Sequence, residues 1–193
     1  MGPSRTSSRR QWGWHRLDAR WAERLVAEAG VQRGDLVLDI GAGDGAITAP
    51  LLEAGARVIA IEAHPHRAAL LRERFDGRGL TVVRADAADL RLPRRAFSVV
   101  ASLPYSATSD VLRRLLHPGS RLRSAHVIVQ EEAARRWAGP VAPAAGRWQR
   151  DVEPSLGSRV PRSAFRPAPN VDSRVLILRD RSSRTRRPAR PPS

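Results

Sequence analysis

Short apolar runs alternate with amphipathic segments between residues 35 and 137. Five of these runs have the length and β-branched content of buried strands, at 35–40, 57–63, 80–86, 97–103 and 124–130. The intervals have helical spacing, most clearly at 65–75, where Pro65 occupies the first turn, and at 108–116. Near-continuous apolar strands separated by helices indicate a parallel sheet that is covered on both faces. The pattern therefore predicts a doubly wound α/β fold.

Two further strand-like runs, 156–161 and 173–180, follow with no helical segment between them. They predict an antiparallel return at one edge of an otherwise mostly parallel sheet. The ends of the chain are polar and rich in arginine and proline, which is typical of disorder. We therefore divide the chain into a basic arm and lip at 1–20, an α/β domain at 21–180 and a disordered arginine-rich tail at 181–193.

The composition excludes several classes of protein. A chain of 193 residues suits one domain with a real core, and the absence of cysteine excludes disulfides and thiolate metal sites. No apolar run approaches the roughly 18–20 residues of a membrane span, and the N-terminus has no apolar core of a secretory signal. We expect a cytoplasmic monomer with no metal and no membrane partner.

The charge of the chain points to a polyanionic partner. All 34 basic side chains are arginine, against 19 acidic ones, for a formal net charge of +15. Such a field attracts polyanions and speeds their encounter. Nucleic acid is favoured over a membrane surface, because no basic amphipathic helix with a strong apolar face is evident.

A glycine-rich loop, LDIGAGDG, follows the first strand and opens a helix. Gly41, Gly43 and Gly45 allow the backbone to pass close to a ligand. Their spacing differs from that of dinucleotide-binding loops, and Asp44 would lie unfavourably beside phosphates. Asp39, just before the loop, suits a cationic ligand such as the ammonium and sulfonium groups of S-adenosylmethionine.

The next two strands also end in acidic residues. Glu62 follows Gly41 by 21 positions, about the distance at which nucleotide-binding α/β folds place a carboxylate for ribose hydroxyls. Asp86, with the small Ala87 behind it, is positioned for an adenine amino group. Each acid alone is more often an exposed strand-end residue. Three consecutive strand ends with acids at one edge predict that S-adenosylmethionine binds there.

The fourth strand ends in Ser102, Leu103, Pro104 and Tyr105. A plain strand-to-helix turn is one interpretation of this segment. The other is a pocket for a planar base: the Ser102 hydroxyl and the Leu103 carbonyl accept hydrogens from an exocyclic amine, Pro104 holds the turn, and Tyr105 stacks on the base. Methyl transfer to that amine would then depend on positioning and electrostatics.

The motifs DIGAGDGAIT, IEAHP, RADAADL, VASLPYS, VIVQEEAARR and FRPAPNVDSRVLIL occur in this order. Together they resemble the ribosomal RNA adenine N6-methyltransferases, which include Erm-type macrolide-resistance enzymes and dimethyladenosine transferases. The resemblance covers residues 11–180 and implies a Rossmann-like class I methyltransferase that uses S-adenosylmethionine. It also implies that Phe165 forms a second wall for a flipped adenine, and that His15 and Leu17 belong to a cofactor lip. Ser102 is expected to contact the cofactor as well as the substrate amine.

This sequence departs from the family pattern at three places. Ser102 and His15 stand where the family usually has asparagine, and the arginine-rich tail stands where a helical domain usually follows the last motif. The last departure favours a short Erm-type enzyme that methylates N6 of an adenine in large-subunit (23S) ribosomal RNA and so confers macrolide resistance. The alternatives are an amino-methyltransferase acting on other RNA, DNA or protein, and a non-catalytic RNA-binding relic of the fold.

Overall fold

The computed structural model describes residues 15–182. Most of the proposed arm, at residues 1–14, and most of the tail, at 183–193, lie outside this range. The predictions made for those segments therefore stay predictions.

A seven-stranded sheet forms the centre of the molecule. Its strands lie in the order β4-β3-β2-β5-β6-β9-β7, and β9 alone runs opposite to the others. The strands are β2 (Leu36–Ile40), β3 (Arg57–Ile61), β4 (Leu80–Val83), β5 (Phe97–Ser102), β6 (Leu122–Gln130), β7 (Val152–Val160) and β9 (Ser173–Asp180). The mostly parallel α/β sheet predicted from the sequence is confirmed.

Two very short strands form a separate antiparallel pair. Strand β1 (Arg16–Leu17) pairs with β8 (Phe165–Arg166), so the start of the described chain lies against a segment about 150 residues further on.

Helices cover both faces of the central sheet. Helices α1, α2 and α3 share one buried apolar cluster, and α4, α5 and α6 share the other. Their bounds are α1 (Ala19–Ala29), α2 (Thr48–Glu53), α3 (Pro65–Arg74), α4 (Thr108–Leu115), α5 (Glu131–Ala138) and α6 (Ala145–Trp148).

Strand β2 shows why the apolar runs are continuous. Leu36, Leu38 and Ile40 belong to one cluster and Val37 to the other, because successive side chains of a strand point to opposite faces. Each aliphatic side chain buried in this way contributes about 1.5–3 kcal/mol. A strand between two helical layers must therefore be apolar at nearly every position.

Local hydrogen bonds set the ends of the elements. Helix α1 begins after Asp18, whose carboxylate accepts from the Arg20 amide, and it ends at Gly30 in a left-handed conformation. Strand β4 stops at Val83 rather than at residue 86, where the sequence suggested, because Asp86 caps a 3₁₀ turn over Ala87–Asp89. Among residues 15–182, no helix is both long and apolar enough to cross a membrane.

Candidate active site

The carboxyl ends of β2 and β5 lie side by side and frame a cavity. Its lining includes Asp39 and Gly41 from the first strand end, the turn from Ser102 to Tyr105, and Phe165. The lip residues 15–17 lie against the same cavity. The structure thus brings together side chains that the sequence places more than 140 positions apart.

The glycine loop is fitted against the neighbouring turn. Gly41 has a φ of +76°, and a Cβ there would lie 3.0 Å from Pro104 Cδ. The close approach of the two loops therefore requires glycine at this position. Gly45 serves another purpose, since a Cβ there would lie 2.7 Å from Phe75 Cε2, so its missing side chain allows helix α3 to pack.

Glu62 binds the backbone of the glycine loop. Its carboxylate is buried and accepts hydrogen bonds of 2.8 Å from the amides of Gly43 and His64, and Arg67 lies 3.7 Å away. A carboxylate oxygen accepts more than one hydrogen bond, so these bonds leave capacity for ribose hydroxyls. Glu62 therefore shapes the loop; it lies outside the cavity lining, and its role toward ribose hydroxyls stays a prediction.

Asp39 is a buried acid beside the cavity. The Thr48 hydroxyl donates to its carboxylate at 2.6 Å. Burial raises the pKa of Asp39 to about 7; the bond from Thr48 opposes the rise, and the charge of Glu62 adds to it. A positively charged ligand in the cavity would stabilise the ionised carboxylate.

The Ser102–Tyr105 turn is held from two sides. The Leu103 amide donates to the Ile128 carbonyl of β6 at 3.0 Å. The Pro104 carbonyl accepts from the Ala107 amide and from the Thr108 hydroxyl, at 3.0 and 3.1 Å. These bonds fix the turn between the sheet and helix α4, so the acceptors that would face a substrate amine are set in advance.

The Tyr105 hydroxyl forms a hydrogen bond of 2.9 Å with the Ser173 hydroxyl. Ser173 is only 1% exposed and begins β9, where it pairs with Gln130 on one side and Val160 on the other. The aromatic ring is thus anchored to the start of β9, between β6 and β7. The sequence interpretation used only the face of Tyr105 and missed Ser173, although this serine belongs to the quoted VDS motif.

The lip is tied to both sides of the cavity. His15 Nδ1 lies 2.7 Å from the Pro167 carbonyl, and the His15 ring lies 5.8 Å from that of Tyr105. Leu17 pairs with Phe165, which is 1% exposed.

Arg16, between these two lip residues, forms an ion pair with Asp44 of the glycine loop. Sequence reasoning assigned no role to Arg16 and noted Asp44 only as unfavourable for phosphate. An exposed arginine and a half-buried aspartate on separate loops carry no signal of their pairing in the sequence alone.

Asp86 and Ala87 lie outside the cavity lining. They follow β4, two strands away from β2, and Asp86 is exposed with one carboxylate oxygen accepting from the Ala88 amide at 2.9 Å. Their adenine-binding role stays a prediction. Gly43 also lies outside the cavity lining, and its role as a glycine of the cofactor loop stays a prediction as well.

Comparison with known proteins identifies the family. The family model described as ribosomal RNA adenine dimethylase matches residues 7–188. The chain belongs to this family.

Three curated relatives illustrate its range. A ribosomal RNA small subunit methyltransferase A from Leifsonia xyli is 42% identical over 175 residues, which cover 83% of this chain and 61% of the relative. An rRNA adenine N-6-methyltransferase from Corynebacterium diphtheriae is 37% identical, with 74% and 57% covered. The mycinamicin-resistance protein MyrB from Micromonospora griseorubida is 38% identical, with 76% and 47% covered. The chain therefore spans about half to two thirds of the length of these relatives.

Solved structures agree with the family assignment. The crystal structure of the 23S rRNA methyltransferase ErmE superposes with a TM-score of 0.76 at 30% identity, covering 88% of this chain and 70% of ErmE. A dimethyladenosine transferase from Plasmodium falciparum gives 0.75 at 26% identity, with 88% and 64% covered. The resemblance to Erm-type methyltransferases and the Rossmann-like methyltransferase fold are confirmed.

The family and fold also confirm S-adenosylmethionine as the cofactor, and the site fits it. The buried Asp39 carboxylate suits a cation, the glycine loop lines the cavity at Gly41, and Glu62 offers a carboxylate at the next strand end. These three residues would hold the cofactor together with the lip. When bound, the cofactor supplies a methyl group activated by a positively charged sulfur.

Proposed function

We propose that this protein methylates N6 of an adenine in large-subunit (23S) ribosomal RNA and thereby confers macrolide-type resistance. The observation that carries the proposal is the joint lining of one cavity by the Ser102–Tyr105 turn, Phe165 and the cofactor residue Asp39. A base and a methyl donor have to meet in such a place. Since ribosomal RNA is the substrate, we place the reaction in the cytoplasm, with the protein acting as a monomer.

The chemistry follows from the two hydrogen-bond acceptors at the end of β5. The lone pair of an adenine amine is delocalised into the ring, which makes the nitrogen a poor nucleophile. The Ser102 hydroxyl and the Leu103 carbonyl accept the two amine hydrogens and turn the lone pair toward the methyl carbon. The new N–C bond forms as the S–C bond breaks, and the amine loses its extra proton to solvent.

Tyr105 and Phe165 hold the base during this step. Enzymes that act on a nucleobase extract it from its stack and read it by hydrogen bonds and aromatic contacts. Both rings line the cavity, and each is anchored to other parts of the fold, Tyr105 by Ser173 and Phe165 by Leu17. Catalysis then depends on orientation, since no general base is required in the cavity.

The relatives support a 23S target and also offer a competing one. ErmE is described as a 23S rRNA methyltransferase, and MyrB as a mycinamicin-resistance protein. The relative from Leifsonia xyli is described as a small-subunit methyltransferase and is 42% identical. Methylation of small-subunit RNA is therefore the second candidate function.

Mapping the modified nucleotide tests the proposal. The protein is incubated with labelled cofactor and either 23S or 16S RNA, and primer extension locates the methylated adenine. We expect label in 23S RNA and macrolide resistance in a sensitive host that expresses the protein. Tyr105→Ala is the matched control, because loss of stacking costs about 1–3 kcal/mol while cofactor affinity is retained.

Label in 16S RNA alone would replace the 23S assignment by the small-subunit one. Cofactor binding without transfer to either RNA would indicate a non-catalytic relic.

A further inference from the structure

An open groove of about 840 Å³ lies at the end of the sheet opposite the active site. One wall is the loop 90–94, which leads into β5, and the other is the end of α4 with the loop that leads into β6. Both loops therefore lie at the amino ends of parallel strands. Five arginines line this amino-edge groove: Arg91, Arg94, Arg113, Arg114 and Arg121.

The groove lies in a segment of the described chain that has an excess of positive charge. Residues 89–123 contain seven arginines and two acids, whereas residues 15–88 contain ten arginines and eleven acids. Composition alone does not produce such a difference, because arginine is abundant in both segments. The arginines of residues 15–88 are balanced by the acids of that segment, whereas those of residues 89–123 are not.

The two acids near the groove are already paired. Asp110 forms an ion pair with Arg113 at 3.1 Å, and Asp89 forms one with Arg114 at 3.9 Å. Arg91, Arg94 and Arg121 are exposed and take part in none of the ion pairs found within residues 15–182. Their mutual repulsion is a cost that a polyanion would relieve.

The shape of the groove is held by contacts of the protein itself. Arg114 Nη1 donates to the Leu90 carbonyl at 3.4 Å and so connects the two walls. Leu90 is buried beneath them, and Pro93 and Pro118 border the opening. The arginines are therefore presented on a preformed surface. A guanidinium with several fixed donors suits a phosphate better than any neutral ligand.

We propose that the amino-edge groove binds the phosphate backbone of the ribosomal RNA substrate, at a point remote from the methylated adenine. The proposal rests on the proposed function and adds a second contact to it. Strand β5 spans six residues from Phe97 to Ser102, so the groove lies roughly 20 Å from the base pocket at about 3.3 Å per residue.

A contact at this distance has a consequence for the size of the RNA. A stem-loop of only a few base pairs that presents the adenine to the base pocket is too short to span the roughly 20 Å to the groove. A folded ribosomal RNA domain can do so. The groove should therefore affect long RNA and leave short RNA unaffected.

The test compares two triple variants that lose the same charge. The groove variant carries Arg91→Gln, Arg94→Gln and Arg121→Gln. The control carries Arg57→Gln, Arg136→Gln and Arg150→Gln, at exposed positions outside the groove lining. Binding of a 23S RNA domain is measured over a range of salt concentrations, and methyl transfer is measured on a short hairpin that contains the target adenine.

We expect the groove variant to bind the long RNA at least tenfold more weakly than the control. The slope of the logarithm of the binding constant against the logarithm of the salt concentration should become less steep by roughly two, since each lost phosphate contact reduces it by about 0.7–0.9. Transfer to the hairpin should stay at the wild-type rate in both variants.

Equal binding of the long RNA by the two variants would overturn the groove assignment, and so would equal losses on long and short RNA. If the wild-type protein binds the long RNA and transfers no methyl group, the proposed function fails. The difference in salt slope between the groove variant and the control variant then still shows whether the groove binds RNA.

Discussion

The hydrogen bond between Tyr105 and Ser173 allows a quantitative prediction. Tyr105→Phe keeps the aromatic face and removes the hydroxyl that lies 2.9 Å from Ser173 Oγ. Because Ser173 is 1% exposed, its own hydroxyl is then buried without this partner. Leaving a buried polar group unsatisfied costs about 1–3 kcal/mol, which is more than the 0.5–1.5 kcal/mol of a typical hydrogen bond.

The reverse substitution should be milder. Ser173→Ala leaves the Tyr105 hydroxyl, which is only partly buried and can turn to water. We expect a loss of unfolding free energy of about 0.5–1.5 kcal/mol for Ser173→Ala. The double variant should be more stable than Tyr105→Phe alone, because neither hydroxyl is left behind.

Two measurements check this reasoning. Urea unfolding of the wild type, both single variants and the double variant gives the coupling free energy between the two side chains. Methyl-transfer kinetics should show kcat reduced in both single variants with cofactor affinity unchanged, since the ring loses its anchor but not its face. A Tyr105→Phe protein with wild-type stability and kcat, and a double variant that is simply additive, would refute the role of the hydroxyl pair.

Three further predictions concern charge. Burial lowers the pKa of His126 to about 4, so the contribution of this side chain to stability should fall by about 2 kcal/mol between neutral pH and pH 5; in urea unfolding the wild type should lose this amount relative to His126→Leu, whereas the exposed His117→Leu should follow the wild type. Because the pKa of Asp39 is raised to about 7, cofactor binding at pH 6 should release a proton, detectable by calorimetry in buffers of different ionisation enthalpy and absent in Asp39→Asn. Asp44→Asn should change stability by less than about 1 kcal/mol, since the pair with Arg16 is largely exposed, and should speed cofactor dissociation in stopped-flow experiments.

Much of the fold could be predicted from the sequence because burial on both faces leaves a local signal. Strands β2, β3, β5 and β6 are continuous apolar runs, and the helices between them have regular spacing. The position of β9 could not be predicted in the same way. Pairing between β9 and both β6 and β7 depends on contacts across the chain, and the late strands indicated only an antiparallel return.

The site was predictable to the extent that it lies at strand ends. Asp39, Gly41, Ser102 and Tyr105 each lie at or just after the end of a buried strand, and the sheet brings them to one edge. The lip needed the family resemblance, since β1 has only two residues and no pattern of its own.

The sequence did not reveal the side chains that the predicted site residues contact within the fold. The bond from Ser173 to Tyr105 and the pair of Arg16 with Asp44 are contacts between distant segments. The same is true of Gly45, whose need for glycine comes from Phe75 of the adjacent helical segment rather than from a ligand.

The place of β9 links the completion of the sheet to the appearance of activity. Until the ribosome has added residues 173–180, β6 has an open apolar edge and β7 has no strand beside it. Such edges can pair with other chains, and closing them over a separation of about 50 residues is slow compared with forming a hairpin. Ser173 is the first residue of β9, so the hydroxyl that anchors Tyr105 arrives with the strand that closes the sheet. An incomplete or misfolded chain therefore lacks a finished base pocket, and only a chain that has protected its edges can position an adenine for methylation.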